Sequence, residues 1–171
     1  MIESKLPHLL LDAFDDLDRV LHNLSPEDAV RHTDGSSFAW THAHIANTID
    51  TWLNVRFQKL DPHTLIGQQR FRFGGTGEAE DWHEIQVGVL AVRVSARTYL
   101  EHVTEADLDV VHPYDGSIEP LRETGITLRY ALSKFITHHY FHIGEIATKR
   151  DHLGHSVGDY PGILSNSIPR P

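Results

Sequence analysis

Apolar residues recur along the chain in steps of three and four, and nowhere in a sustained alternation of two. Leu6, Leu9, Leu10, Ala13, Leu17, Val20, Leu21 and Leu24 trace one such stripe. The spacing predicts an amphipathic helix, with Asp12, Asp15, Asp16, Asp18 and Arg19 on its other face. Pro7 is compatible with this only in the first turn. Ser25-Pro26-Glu27-Asp28 reads as an N-cap, a proline at the first helical position and an acidic first turn, enough for one short helix. Thr33-Asp34-Gly35-Ser36-Ser37 then breaks the chain and offers a fresh N-cap. A second long helix is predicted from about Phe38 to Gln58, with Phe38, Ile45, Ile49, Trp52 and Leu53 as its apolar stripe. The third is the clearest: Trp82, Ile85, Val89, Val92, Ala96, Tyr99 and Val103 alternate steps of three and four as a bundle seam requires.

Between the second and third helices, Lys59 to Asp81 contains Pro62, Gly67, Gly74, Gly75 and Gly77 and keeps no period. Connections of this length are uncommon inside compact domains, and are usually functional or mobile. A turn-rich stretch with Pro113, Asp115, Gly116 and Pro120 leads to a fourth helix, predicted from about Gly125 or Ile126 to His152 and ended by Gly154. The remainder, GHSVGDYPGILSNSIPRP, has three prolines and no helical period, so an irregular tail is expected from about residue 154. No stretch reads as a convincing strand and no internal repeat is present. The expected fold is therefore all-α: an antiparallel four-helix bundle in a single domain spanning 1–171, with a long loop between the second and third long helices.

Composition narrows the function. At 171 residues the chain is long enough to bury a core without crosslinks. The absence of cysteine excludes disulfides, zinc–thiolate sites and cysteine nucleophiles, and fits a cytoplasmic protein. The N-terminal apolar run is followed by acidic residues rather than a cleavage site, so it reads as a helix start and not a signal peptide. No stretch reaches membrane-spanning length. Fifteen Lys and Arg against 24 Asp and Glu give a formal charge of −9, which opposes nucleic-acid binding. The 14 histidines stand out, because histidine is the commonest metal ligand.

On the fourth helix, HHYFHIGE (138–145) places His138 and His142 four residues apart, one turn apart on one face. Among 14 histidines about one such pair is expected by chance, so spacing alone decides little. Register adds more. His142 falls in line with Leu128, Phe135 and Ile146 and so faces the interior, where an imidazole needs partners for both nitrogens. A further donor is expected from the second helix, which offers His42 and His44. Two residues apart, these point in different directions and cannot both join. The helical wheel favours His42 slightly, and it places His139 about as far inward as His138. Both choices stay open on pattern alone.

FAWTHAHIANTIDTWLN (38–54) resembles the second helix of DinB/YfiT-like proteins, and HHYFHIGEI (138–146) resembles their fourth-helix His-x-x-x-His-x-Gly-Glu/Gln motif. The VGDYPG stretch of the tail is similar to an ending found in one branch of that superfamily. The resemblance covers nearly the whole chain. It implies His44, His138 and His142 as the metal ligands, with His42 and His139 left to packing or supporting roles. It implies a divalent ion (zinc, nickel, manganese or iron) with positions open to water or substrate. It also implies a small-molecule substrate and a low-molecular-weight thiol as partner, in a thiol-dependent S-transferase reaction, with hydrolysis the nearest alternative. A non-catalytic metal-binding or stress-associated bundle is the contrasting expectation. Small bundles often pair, so a homodimer is compatible with the chain, although no sequence feature fixes an interface.

Other motifs exclude rather than suggest. HHYFH has the outline of a zincin helix, but His139 stands where the general-base glutamate belongs. A carboxylate-bridged di-iron bundle needs two Glu-x-x-His pairs on core helices, and only Glu80–His83 is present, at a loop edge. GGTG (74–77) lacks the Lys-Ser/Thr of a P-loop and reads as a turn. Arg70-Phe71-Arg72-Phe73 reads either as a lid over the metal that greets an anionic substrate or, preferred here, as two surface arginines with two packed rings. Trp40, Trp52 and Trp82 fall on core faces. Glu145, one turn beyond His142, is placed either to orient an imidazole or water or simply to face solvent.

Overall fold

A computed structural model describes residues 5–32 and 35–158 of the chain. Helix α1 (Lys5–Leu21) buries Leu10, Phe14, Leu17 and Val20 and turns Asp15 and Asp18 outward, whereas Asp16, expected on the outer face, is buried and accepts from the Tyr140 hydroxyl at 2.9 Å. Helix α2 (Pro26–Val30) starts as its sequence dictates: Ser25 Oγ accepts from the Asp28 amide at 3.0 Å, and Pro26 opens the first turn. Helix α3 (Phe38–Ile49) is capped by Ser37, whose Oγ accepts from the Trp40 amide, and it continues without interruption as a π-helix over Asp50–Phe57. Helix α4 (Trp82–Leu100) is capped by Asp81. A short helix α5 (Glu119–Thr124) and a long α6 (Leu128–His152), capped by Thr127, complete the set. Residues 155–158 carry no regular structure; the rest of the tail, the first residues of the chain and Thr33-Asp34 lie outside the described residues.

Side-chain partnerships fix the direction of each long helix. Phe14 meets His139 and Arg150 donates to the Val20 carbonyl, so α1 and α6 run the same way. His42 meets Trp82 and Asn54 donates to the Val92 carbonyl, so α3 and α4 also run the same way. Ser36 meets Lys149 while Trp52 meets Phe135, which sets α3 against α6. Asp18 pairs with Arg93 and Asp15 with Arg97, which sets α1 against α4. The antiparallel packing of the bundle is thus between α3 and α6 and between α1 and α4. This explains the long connection after α3: two parallel neighbours need a return path along the bundle, which a short turn cannot supply.

That connection is anchored rather than loose. Ile66 and Phe71 are fully buried, Asn47 Nδ2 donates to the Ile66 carbonyl at 2.7 Å, and Gln69–Phe71 form a 3-10 turn. The π-helical segment has a comparable cause. Asp50 and Asn54 are buried there. Asp50 accepts from the His63 amide at 2.9 Å, and Asn54 donates to Asp50 and to the Val92 carbonyl. Wider i→i+5 turns accommodate these polar groups and often occur beside functional sites.

Two expectations from the sequence differ from the structure. The fourth long helix begins at Leu128 rather than at Gly125 or Ile126. Ile126–Thr127 instead form a two-residue strand (β2) that pairs antiparallel with Val111–His112 (β1), where no strand was expected. Gly125 permits this: at φ +76° it turns the chain where an added Cβ would lie 2.5 Å from Val111 Cγ1. A ladder of two residues is too short to leave an alternating pattern in the sequence. At the other end Gly154, at φ +77°, follows α6 as expected. Buried Arg150 donates to the Val20 and His22 carbonyls, satisfying acceptors that the end of α1 leaves open.

Candidate metal centre

His44 comes from the middle of α3 and His138 and His142 from successive turns of α6, so the antiparallel crossing of these helices brings three imidazoles to one point. Their ligand-capable atoms all lie within 4.8 Å of one another. His138 Nε2 is 3.2 Å from His44 Nε2 and 3.2 Å from His142 Nε2. Two bonds of about 2 Å to a tetrahedral ion place their nitrogens about 3.3 Å apart, so these two spacings suit a shared ion. The rings meet edge to face, at 65° to 88°, rather than stacking on each other.

The outer nitrogens settle which lone pairs point inward. His44 Nδ1 lies 2.7 Å from the Phe71 carbonyl oxygen, which can only accept; Nδ1 therefore carries the proton and Nε2 the lone pair. His142 Nδ1 lies 2.8 Å from Glu145 Oε2. The His142 hydrogen bond first, with help from Lys149 at 2.7 Å, holds the Glu145 carboxyl down at about 2, so it is ionised and accepts. With its ring neutral, as a metal ligand must be, His142 Nε2 also presents a lone pair. Between these two acceptors sits His138 Nε2, which carries at most one proton and so leaves at least one 3.2 Å contact with two facing lone pairs. His138 Nδ1 is buried without a hydrogen-bond partner. A cation between the three rings removes the conflict, because every lone pair then has the same acceptor. The residues present fit a divalent metal.

Burial tunes His138 and His44 toward the neutral form that a metal requires. Desolvation foremost, then the neighbouring His142, His44 and Lys134, pushes the His138 pKa down to about 3. His44 is lowered chiefly by desolvation too, against the opposing effect of its bond to Phe71.

Supporting contacts reach well beyond the three histidines. Trp40 lies one turn before His44 and stacks on its ring, 4.9 Å between centroids and 5° from parallel. Its Nε1–H donates to the Arg70 carbonyl at 2.7 Å, one residue before the carbonyl that holds His44. Trp40 thus packs in the core, as expected, and also braces His44. The 70–73 segment is divided. Phe71 is fully buried, whereas Phe73 is 98% exposed, against the expectation of two packed rings. Arg70 bonds both oxygens of Glu80, while Arg72 and Phe73 border a cavity of about 660 Å³ whose wall also includes His44 and His138. Trp52 is only half-buried because it too faces that cavity. Trp82 is a core residue. Glu80, ion-paired to Arg70, takes no part in a cluster with His83.

His42 and His139 lie outside the cluster. His42 is buried against Trp82, with neither ring nitrogen hydrogen-bonded. His139 packs on Phe14, its Nδ1 bonding the Phe135 carbonyl at 2.7 Å. The inward character that the helical wheel gave both residues is real, but it points into the core.

A bundle whose facing helices aim imidazoles at one internal point is a common construction among metal-carrying helical proteins. This chain belongs to the DinB superfamily, whose sequence profile matches residues 9–146. A solved structure described as a conserved protein from Enterococcus faecalis is similar in fold, with a TM-score of 0.63 over 85% of this chain and 92% of that one, at 16% identity. No curated protein matches the chain. Among the described residues, no helix is long and apolar enough to cross a membrane.

Proposed function

We propose that the chain is a metal-dependent enzyme that holds a divalent ion on His44, His138 and His142 and uses it to activate a low-molecular-weight thiol for S-transfer to a small molecule. The observation that carries this reading is that His44 and His138 belong both to the histidine cluster and to the wall of the 660 Å³ cavity. A purely structural ion is usually enclosed by protein ligands on all sides, whereas a catalytic one keeps positions open toward substrate. The cavity also falls within the range of roughly 300–1,000 Å³ typical of small-molecule sites.

A divalent ion supplies Lewis acidity: it lowers the pKa of a thiol or water placed beside it. The chain's own part is to set the donors and the surroundings. Phe71 and Glu145 fix the Nδ1–H tautomers of His44 and His142 and hold both rings in place. Trp40 covers the face of His44 and keeps water from it. An all-imidazole donor set without cysteine is compatible with zinc, nickel or iron and accepts manganese less tightly, so the metal is left as divalent.

The test is cobalt(II) substitution. One equivalent should bind, and a thiol added afterwards should produce a sulfur-to-cobalt charge-transfer band, with the helical signal unchanged when the metal is removed. A loaded site that admits no thiol, in a protein that melts far lower without metal, would instead make the ion a structural staple. Thiol exclusion with turnover of ester or amide probes would move the assignment to hydrolysis.

A further inference from the structure

The cavity beside the histidine cluster has a charge opposite to that of the chain. The protein carries 24 acidic and 15 basic residues, yet the cavity wall includes Arg56, Arg72 and Lys134 and no aspartate or glutamate. The three cations converge from separate places: Arg56 from the π-helical segment, Arg72 from the long connection and Lys134 from α6. Arg56 is partly spent, since it pairs with Asp115 at 2.6 Å and lies over the Tyr114 ring. Lys134 and Arg72 have no carboxylate partner among the described residues. Lys134 is half-buried, with its Nζ 5.1 Å from the centre of the Trp52 ring, so its charge is partly desolvated. Its field reaches the cluster itself, where it helps to disfavour a charged His138. Thr48, Thr51 and Trp52 also line the wall, which holds no acidic residue to balance the cations.

Uncompensated cations around a partly desolvated cavity attract anions, and they do so more strongly than they would in open water. Lys134, half-buried, and Arg72, exposed, both border the cavity, so an anion entering it meets two cations that no carboxylate neutralises. We infer that the molecule bound in this cavity carries an anionic group, a carboxylate or a phosphate, held by Lys134 and Arg72 while its other end reaches the point where the three histidines meet. This rests on the reading of the cavity as the open side of the metal centre. It specifies that the ligand is an organic anion with an apolar middle segment, suited to the Trp52 face.

Three thiols with the same six-carbon stem test this on the cobalt-loaded protein: 6-mercaptohexanoate, 6-mercaptohexanol and 6-aminohexanethiol. Dissociation constants come from the charge-transfer band, without reference to turnover. The carboxylate should bind roughly tenfold tighter than the alcohol, and the amine weaker than both, with the spread narrowing as salt is raised. Lys134→Gln and Arg72→Gln should each remove most of the carboxylate's advantage while leaving the alcohol's affinity unchanged. Equal binding of the three thiols, or an undiminished preference in both variants, overturns the inference. A separate titration keeps it distinct from the metal reading. Adipate, which has no thiol, should quench tryptophan fluorescence saturably in the metal-free wild-type protein and not in the Lys134→Gln, Arg72→Gln double variant. If adipate binds in this way but cobalt does not, the metal assignment falls and the anion site stands. If cobalt and thiols bind but adipate gives no saturable response, the anion site falls and the metal assignment stands.

Discussion

Helices α3 and α6 each contribute histidines to two places, and the two differ in almost everything except residue type. His44, His138 and His142 meet at the edge of a cavity, with the outer nitrogens of His44 and His142 bonded to groups that can only accept and the inner nitrogens turned toward one point. His42 and His139, displaced by two residues and by one, are buried near Phe14, Trp82 and Arg93. There a burial of comparable depth produces no shared point: His139 has one carbonyl partner and His42 none. The candidate metal site is therefore marked less by buried histidines than by their convergence and by the acceptors behind His44 and His142.

The largest expected effect separates the two sets directly. His142→Ala should abolish stoichiometric metal binding while circular dichroism stays helical, and His44→Ala should weaken binding by more than about a hundredfold, since losing even a group that only orients a ligand costs up to that much. His42→Ala and His139→Ala should leave metal stoichiometry at wild type and instead lower stability by about 1–3 kcal/mol, the usual result of emptying a core position. Metal analysis and denaturant melts of the four variants give both readings, and full metal content in His44→Ala alongside loss in His42→Ala would reverse the assignment.

Next in size is the acceptor behind His142. Glu145→Gln keeps the shape but removes the carboxylate that orients the ring, so metal affinity should fall by about 10–100-fold with little change in fold. Competition against a chelator measures this; unchanged affinity would reduce Glu145 to a partner of Lys149.

Acid should act on both sets of histidines in the metal-free protein. His138 and His139 titrate near 6.5 when unfolded and are pushed down to about 3 when folded, in both cases chiefly by desolvation. Between those values the unfolded chain binds more protons, so the stability present above pH 6.5 is lost as the pH falls. From pH 6.5 to 5 the loss should be about 2 kcal/mol for each such histidine. Denaturant melts at several pH values check the sign, and a stability that rises on acidification through this range would contradict the burial described. The smallest effect expected is that of Trp40→Phe, which removes the Nε1–H bond to Arg70 but keeps a stacking ring; metal affinity should fall by only a few-fold, about 1 kcal/mol.

Where apolar spacing ran long, the sequence was legible. The stripes of α1 and α4 and the caps Ser25 and Ser37 matched the structure because periodicity and capping are local properties. The pair ladder at Val111–His112 and Ile126–Thr127 was not, since two residues leave no period and the pairing depends on the φ of Gly125. For the site, spacing put His138 and His142 on one face, while the selection of His44 over His42 came from resemblance. The reason lies in Phe71: its main-chain carbonyl is what commits His44, and a carbonyl has no signature in sequence. The cationic cavity was equally hidden, because Arg56, Arg72 and Lys134 meet only after α3, the long connection and α6 are folded together.

X-ray absorption on the metal-loaded protein, with and without thiol, tests the central claim most directly. One ion per chain should show three imidazole nitrogens at about 2 Å plus lighter exchangeable scatterers, and thiol should replace one of these with sulfur at about 2.3 Å. An ion that binds below stoichiometry, or a shell that thiol leaves unchanged, would contradict the account of three converging histidines that open onto a cavity.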